Sequence, residues 1–150
     1  MSVSQVGLQF VYMGLLAILI QGGLLRVLLK KFDEKQLFFV GNIFLILGLF
    51  LIPFAHSQVS LTLFLLLMTL GASLSGPTLT SIISKQSPSD QIGSTMGISQ
   101  GFSALGRVIG PTWGGALFAI SFKLPFILTA SLVLYTVFVA FHLLLIDTTK

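Results

Sequence analysis

The sequence predicts an all-α polytopic membrane protein with five transmembrane helices, and three observations carry that prediction. Hydrophobic residues make up 55% of the 150 and charged residues only 8%, whereas a soluble domain has roughly a quarter of its residues charged. The apolar residues gather into five runs, each long enough for the ~20-residue crossing of a bilayer. Short polar or charged stretches separate the runs. The expected spans are 6–29, 37–54, 61–83, 93–120 and 125–146, within one transmembrane domain covering 1–150. A net charge of +4 would suggest nucleic acid on a soluble chain. Here most of it lies between apolar runs, where it sets orientation, and no nucleic-acid partner is expected. There is no cysteine, which excludes disulfides and thiolate metal sites.

The first run follows MSVSQVGLQF, which has neither a basic stretch nor a small-residue cleavage site, so it reads as a span and not a signal peptide. Gln5, Gln9 and Tyr12 follow i, i+4, i+7 and share a face. That face serves either interhelical hydrogen bonding or a substrate-facing stripe. After it comes KKFDEK, the most charged piece of the chain. Arg26, Lys30, Lys31 and Lys35 supply half of the eight basic residues, beside Asp33 and Glu34. The excess of positive charge predicts a cytoplasmic loop.

The second run contains one amide, Asn42, and ends near Pro53. The loop AHSQVS has His56 and no other ionisable group, as expected outside, and a lone loop histidine is ordinarily solvated. In the third run Gly71, Ser73, Ser75, Gly76, Pro77, Thr78, Thr80 and Ser81 make the second half small and polar. Pro77 has no amide hydrogen for the carbonyl of Ser73, which neighbouring hydroxyls can satisfy. Close packing on another helix or the lining of a pathway would both use such a surface. SKQSPSDQIG follows, with turn signals and Lys85 on the cytoplasmic side.

The fourth run holds the chemistry. Met96, Gln100, Ser103, Arg107, Gly110 and Gly114 follow i, i+4, i+7, i+11, i+14, i+18, one continuous helical stripe. Arg107 near mid-span costs roughly 2.5–3.5 kcal/mol on insertion scales, so the charge must be paired or hydrated. Its compensation comes from Gln100, from carbonyls freed near Pro77 or Pro111, from water, from an anionic ligand, or from a carboxylate on another segment. A structural arginine and one on a transport pathway both fit. The last run, after SFKLP with Lys123 outside, is almost uniformly aliphatic and aromatic and reads as lipid-facing. It leads to Asp147 and Lys150 inside, so the N-terminus is expected outside and the C-terminus in the cytoplasm. No Ser/His/Asp grouping, metal-ligand cluster or phosphate-binding loop is present, so no enzyme, metal or cofactor is expected.

The pattern G-x8-G-x3-G-P-x2-G-G falls on Gly97, Gly106, Gly110, Pro111, Gly114 and Gly115 without departure. It resembles the antiporter signature of the major facilitator superfamily, in particular of its tetracycline-efflux-like drug:proton antiporters. QGGLLRVLLKKFDEKQLFFVG resembles the cytoplasmic loop after the second helix of each half, and PTLTSIIS onward resembles the tenth and eleventh helices. The loop lacks the Asp-Arg-x-Gly-Arg core of the first half, with Asp33 where a glycine is common. The third run lacks the arginine typical of the fourth helix. The resemblance therefore implies helices eight to twelve, with seven helices and the proton-carrying acid on a missing N-terminal half of the same or a separate chain. It further implies proton-coupled efflux of small lipophilic compounds across a plasma or inner membrane. Gln100, Ser103 and Arg107 would then face the pathway, and Gly106, Gly110, Pro111 and Gly114 would allow close packing and a bend. A non-transporting scaffold or regulatory subunit derived from a truncated transporter is the alternative.

Overall fold

The computed structural model describes residues 3–146, with side-chain surroundings for 3–143. Each of the five apolar runs is a helix. In chain order they are α1 (Val3–Leu28), α2 (Glu34–Leu51), α3 (Gln58–Gln86), α4 (Ile92–Ile120) and α5 (Leu124–Ile146). A short 3-10 turn, Ile52–Phe54, extends α2 with Pro53 in its first turn. Asp147 and Lys150, invoked above for the cytoplasmic C-terminus, lie outside the described residues.

Length and hydropathy together do not match the expected count of five membrane helices. Four of the described helices are both long and apolar enough to cross a membrane: Val3–Leu28, Glu34–Phe54, Gln58–Gln86 and Leu124–Leu143. Although α4 has 29 residues, its seven glycines, its serines and threonines, Gln100 and Arg107 dilute its hydropathy. The residues that give α4 its character are the ones that keep it below the others.

The helix starts follow from their caps. The Asp33 carboxylate accepts from the amide of Glu34 at 2.8 Å, while the amide of Asp33 donates to Gln36 Oε1 at 3.2 Å. Ser57 and Ser60 repeat the arrangement at α3, with the Ser60 amide donating to Ser57 Oγ at 3.1 Å. Inside α1 the residues Ile20–Leu24 form a π-turn, in which the amide of Leu25 donates to the carbonyl of Ile20. At 3.6 residues per turn, positions five apart would point about 140° away from each other. The wider turn lets Ile20 (1% exposed) and Leu25 (8%) both enter the core. It falls on Gln21-Gly22-Gly23, where consecutive glycines weaken the α-helical register.

The core is the seam between α2 and α3. Gly41 of α2 meets Gly71 of α3, and a Cβ on Gly48 of α2 would stand 2.6 Å from the amide nitrogen of Met68 of α3. Around the seam Asn42, Ser73, Ser75 and Thr78 are buried. Asn42 Nδ2 donates to the carbonyl of Phe38 at 2.8 Å, so its amide is satisfied within its own helix. The hydroxyl of Thr78 lies 2.7 Å from the carbonyl oxygen of Leu74 and 3.0 Å from that of Ser75. These are the carbonyls next to the one that Pro77 leaves open, and α3 continues through the proline to Gln86. Within the small, polar half of α3, Gly71, Ser73, Ser75 and Thr78 are thus a packing surface, while Gly76 and Thr80 are exposed.

Around that seam α1 lies on α3, and α5 lies on α2 with Phe39 and Phe141 edge to face at 5.6 Å. The last helix, expected to be lipid-facing, thus packs one side on α2 and leaves most of its other residues exposed. α4 touches α3 and α5 and buries none of its own residues.

Candidate functional site

Two regions contain the residues that the sequence singles out, and they are built differently. The first is the turn between α1 and α2. Asp33 is occupied as a helix cap. Glu34, at the start of α2, accepts from Ser81 Oγ at 2.7 Å and from Lys85 Nζ at 2.8 Å, which ties the turn to the end of α3. The Glu34 side chain is 16% exposed and that of Lys85 68%. An ion pair this open contributes at most about 1 kcal/mol, so it fixes geometry more than it supplies stability. Arg26, Lys30 and Lys31 are exposed and Lys35 is half-buried. Across the bundle the opposite loops carry Lys123, whose ammonium lies 5.4 Å from the centre of the Phe54 ring. His56 is exposed there, as a solvated histidine would be.

The second region is α4. It has no buried residue. Gln100, Ser103 and Arg107 are all exposed on one face. Ser103 Oγ donates to the carbonyl of Ser99 at 3.0 Å, so this hydroxyl is satisfied within the helix. Among the described residues Arg107 forms no ion pair and no hydrogen bond, and Gln100 no hydrogen bond. Of the compensations considered for Arg107, those within the described chain are thus unused. Water, a ligand and another segment are left.

The glycines of α4 give the same answer. A Cβ added at Gly97, Gly106, Gly110, Gly114 or Gly115 would meet nothing within 4 Å, and neither would one at Gly93 or Gly101. Small residues normally persist on a membrane helix because another backbone comes close. No such backbone is present for this stripe among the described residues. Pro111 lies within the uninterrupted helix.

The family model described as the Major Facilitator Superfamily matches residues 1–150. The chain belongs to the major facilitator superfamily. Members of this superfamily are transporters and not enzymes, so the function is of the transporter type in a multi-pass membrane setting. No curated protein and no solved structure matches.

Within this superfamily chain the functional candidates separate by environment. Gln100, Ser103, Arg107 and the α4 glycines share one helix that buries none of its residues. Arg26, Lys30, Lys31, Asp33, Glu34 and Lys35 gather at the α1–α2 turn, with the two acids engaged and the four cations free of carboxylates within 4 Å among the described residues. Sequence reasoning named Gly71 on a surface suited to close packing but missed Gly41 and Gly48, the glycines of α2 that admit a close backbone. The seven-residue spacing of Gly41 and Gly48 places them on one helical face and was the available signal. It also left open the role of Gln9. That side chain is 6% exposed, and its Nε2 donates to Thr62 Oγ1 at 2.7 Å, which joins α1 to α3. For Gln9 the interhelical reading holds.

Proposed function

We propose that this chain is the C-terminal part of a proton-coupled efflux transporter for small lipophilic compounds. Five membrane helices are included in the proposal, α4 among them. The observation that carries it is Arg107, exposed and unpartnered on a helix whose glycines also face open space. A charge with no partner and a notch with no filler on one stripe require the same thing, an opposing surface. An N-terminal half, in the same or a separate chain, supplies that surface, the second wall of the cavity and the proton-carrying acid. The stripe Gln100, Ser103 and Arg107 then lies on the pathway between the halves, and alternating access rocks one half against the other. Gly106, Gly110 and Gly114 permit the close approach, with Pro111 and the flanking Gly97 and Gly115 setting local bend and clearance.

The proposed orientation has the N-terminus outside and the α1–α2 turn in the cytoplasm, in a plasma or inner membrane. Arg26, Lys30, Lys31, Lys35 and Lys85 at one end, against Lys123 at the other, support it. No cofactor enters the mechanism.

The test is substrate-driven proton flux in liposomes containing the whole transporter. Gly110→Leu is expected to abolish flux while membrane insertion is retained. Normal flux in that variant contradicts the packing role of the stripe. Arg107→Ala is expected to weaken substrate or proton affinity, and unchanged affinities would return Arg107 to a structural role.

A further inference from the structure

A groove between α1 and α2 opens at the basic end of the bundle. Ile20, Leu24 and Leu28 of α1 form one wall, Phe32 closes the end, Val40 of α2 forms the other wall, and Leu74 of α3 lies in its floor. Its volume is about 290 Å³, and its lining is apolar apart from Gln36. From Ile20 to Leu28 the wall rises about 12 Å at 1.5 Å per residue. That is most of the ~15 Å that one leaflet's hydrocarbon occupies, half of a ~30 Å core. A packed helix about 10–12 Å across would displace several times the groove's volume over the same length. A single acyl chain suits the width.

Charge selects the head that belongs to such a tail. Lys30 and Lys31 lie between the lining residues Leu28 and Phe32, and Arg26 and Lys35 flank them in sequence. The turn's own acids do not neutralise them. Asp33 caps α2, and Glu34 is held by Ser81 and Lys85. The cations therefore form an unpaired basic rim above an apolar slot. Lysines and arginines near an anionic membrane surface attract its phosphates.

We propose that this groove binds one anionic phospholipid, its acyl chain between α1 and α2 and its phosphate on the Lys30–Lys31 turn. The inference rests on the membrane placement of the helices. It does not depend on substrate, coupling ion or the role of α4, so the failure of the transport proposal and the failure of this one are separate results.

The test is native mass spectrometry of the delipidated, detergent-purified protein titrated with phosphatidylglycerol or phosphatidylcholine. One phosphatidylglycerol per chain is expected to be retained with at least ten-fold preference over phosphatidylcholine. Lys30→Gln with Lys31→Gln should remove the preference and leave phosphatidylcholine retention unchanged. Val40→Trp, at an exposed wall position, should lower retention of both lipids. Equal retention of the two lipids by the unaltered protein overturns the proposal, as does undiminished phosphatidylglycerol retention in Val40→Trp. Should Val40→Trp disturb the helices, phosphatidylglycerol with a photoactivatable acyl chain decides on the unaltered protein. Crosslinks to the Ile20–Leu28 segment and Val40 support the groove, and crosslinks confined to other helices contradict it.

Discussion

Gly41 and Gly71 face each other across the crossing of α2 and α3. A Cβ on Gly71 would stand 2.5 Å from the carbonyl oxygen of Gly41, and one on Gly41 would stand 3.0 Å from that of Gly71. Neither helix can gain a methyl group here without moving backbone, because the nearest atoms are main-chain atoms and not flexible side-chain ends. Gly71→Ala is therefore expected to destabilise the bundle by about 2–3 kcal/mol through overpacking. Thermal unfolding of the detergent-solubilised chain checks it, and an unchanged Tm would contradict the close seam.

The α4 glycines make the opposite prediction in the same preparation. With open space at Gly106 and Gly110, alanine there only removes the backbone freedom of glycine. The chain on its own should be unchanged or gain up to about 1 kcal/mol per site. Destabilisation equal to that of Gly71→Ala would show that α4 packs within this chain after all.

Gln9 and Thr62 offer an asymmetric pair. Thr62 Oγ1 already donates to the carbonyl of Gln58 at 2.8 Å, so removing Gln9 strands no polar atom on α3. The Oε1 of Gln9 is itself buried without a partner. Gln9→Leu is thus expected to be nearly neutral. Thr62→Val leaves the whole buried amide unpaired and should cost about 1 kcal/mol, within the range of interhelical hydrogen bonds in membranes. Paired unfolding curves distinguish them, and a larger loss for Gln9→Leu would reverse the assignment.

At the α1–α2 turn the cap should matter more than the ion pair. Asp33→Ala removes the acceptor at the start of α2 and is expected to cost about 1 kcal/mol. Lys85→Ala removes a mostly exposed partner and should cost less than that, with its own cost shrinking further at high salt. Unfolding at low and high ionic strength reads both variants, and a larger, salt-insensitive loss in Lys85→Ala would contradict this order.

The helices were legible because five apolar runs are separated by cap and turn residues such as Asp33, Ser57 and Pro88, and each run became a helix. What the sequence concealed was which small residues meet a neighbour. The glycines of α4 are dense and regularly spaced, yet within this chain they meet nothing. Gly41, Gly48 and Gly71 are scattered in apolar runs, yet they form the seam. Periodicity reports that a face is smooth, while only the tertiary arrangement reports what lies against it. The π-turn at Gln21-Gly22-Gly23 escaped for a related reason: its cause is the core's demand for both Ile20 and Leu25, five residues apart. Only four helices are apolar enough on composition because Arg107, Gln100 and the glycines lower the hydropathy of α4. Those are also the residues proposed to act.

The central claim is that one face of α4 borders a wet pathway, and introduced thiols test it most directly. The chain contains no cysteine, so single replacements on it report without background from its own residues. Gln100, Ser103 and Arg107 lie on one side of the helix, and Ile98, Leu105 and Ile109 lie about opposite at 3.6 residues per turn. Each is replaced by cysteine in the whole transporter and treated in membranes with a charged, membrane-impermeant maleimide. The account predicts labelling at 100, 103 and 107, slowed by substrate, and little at 98, 105 and 109. Equal labelling around the helix, or labelling confined to the apolar side, would contradict it.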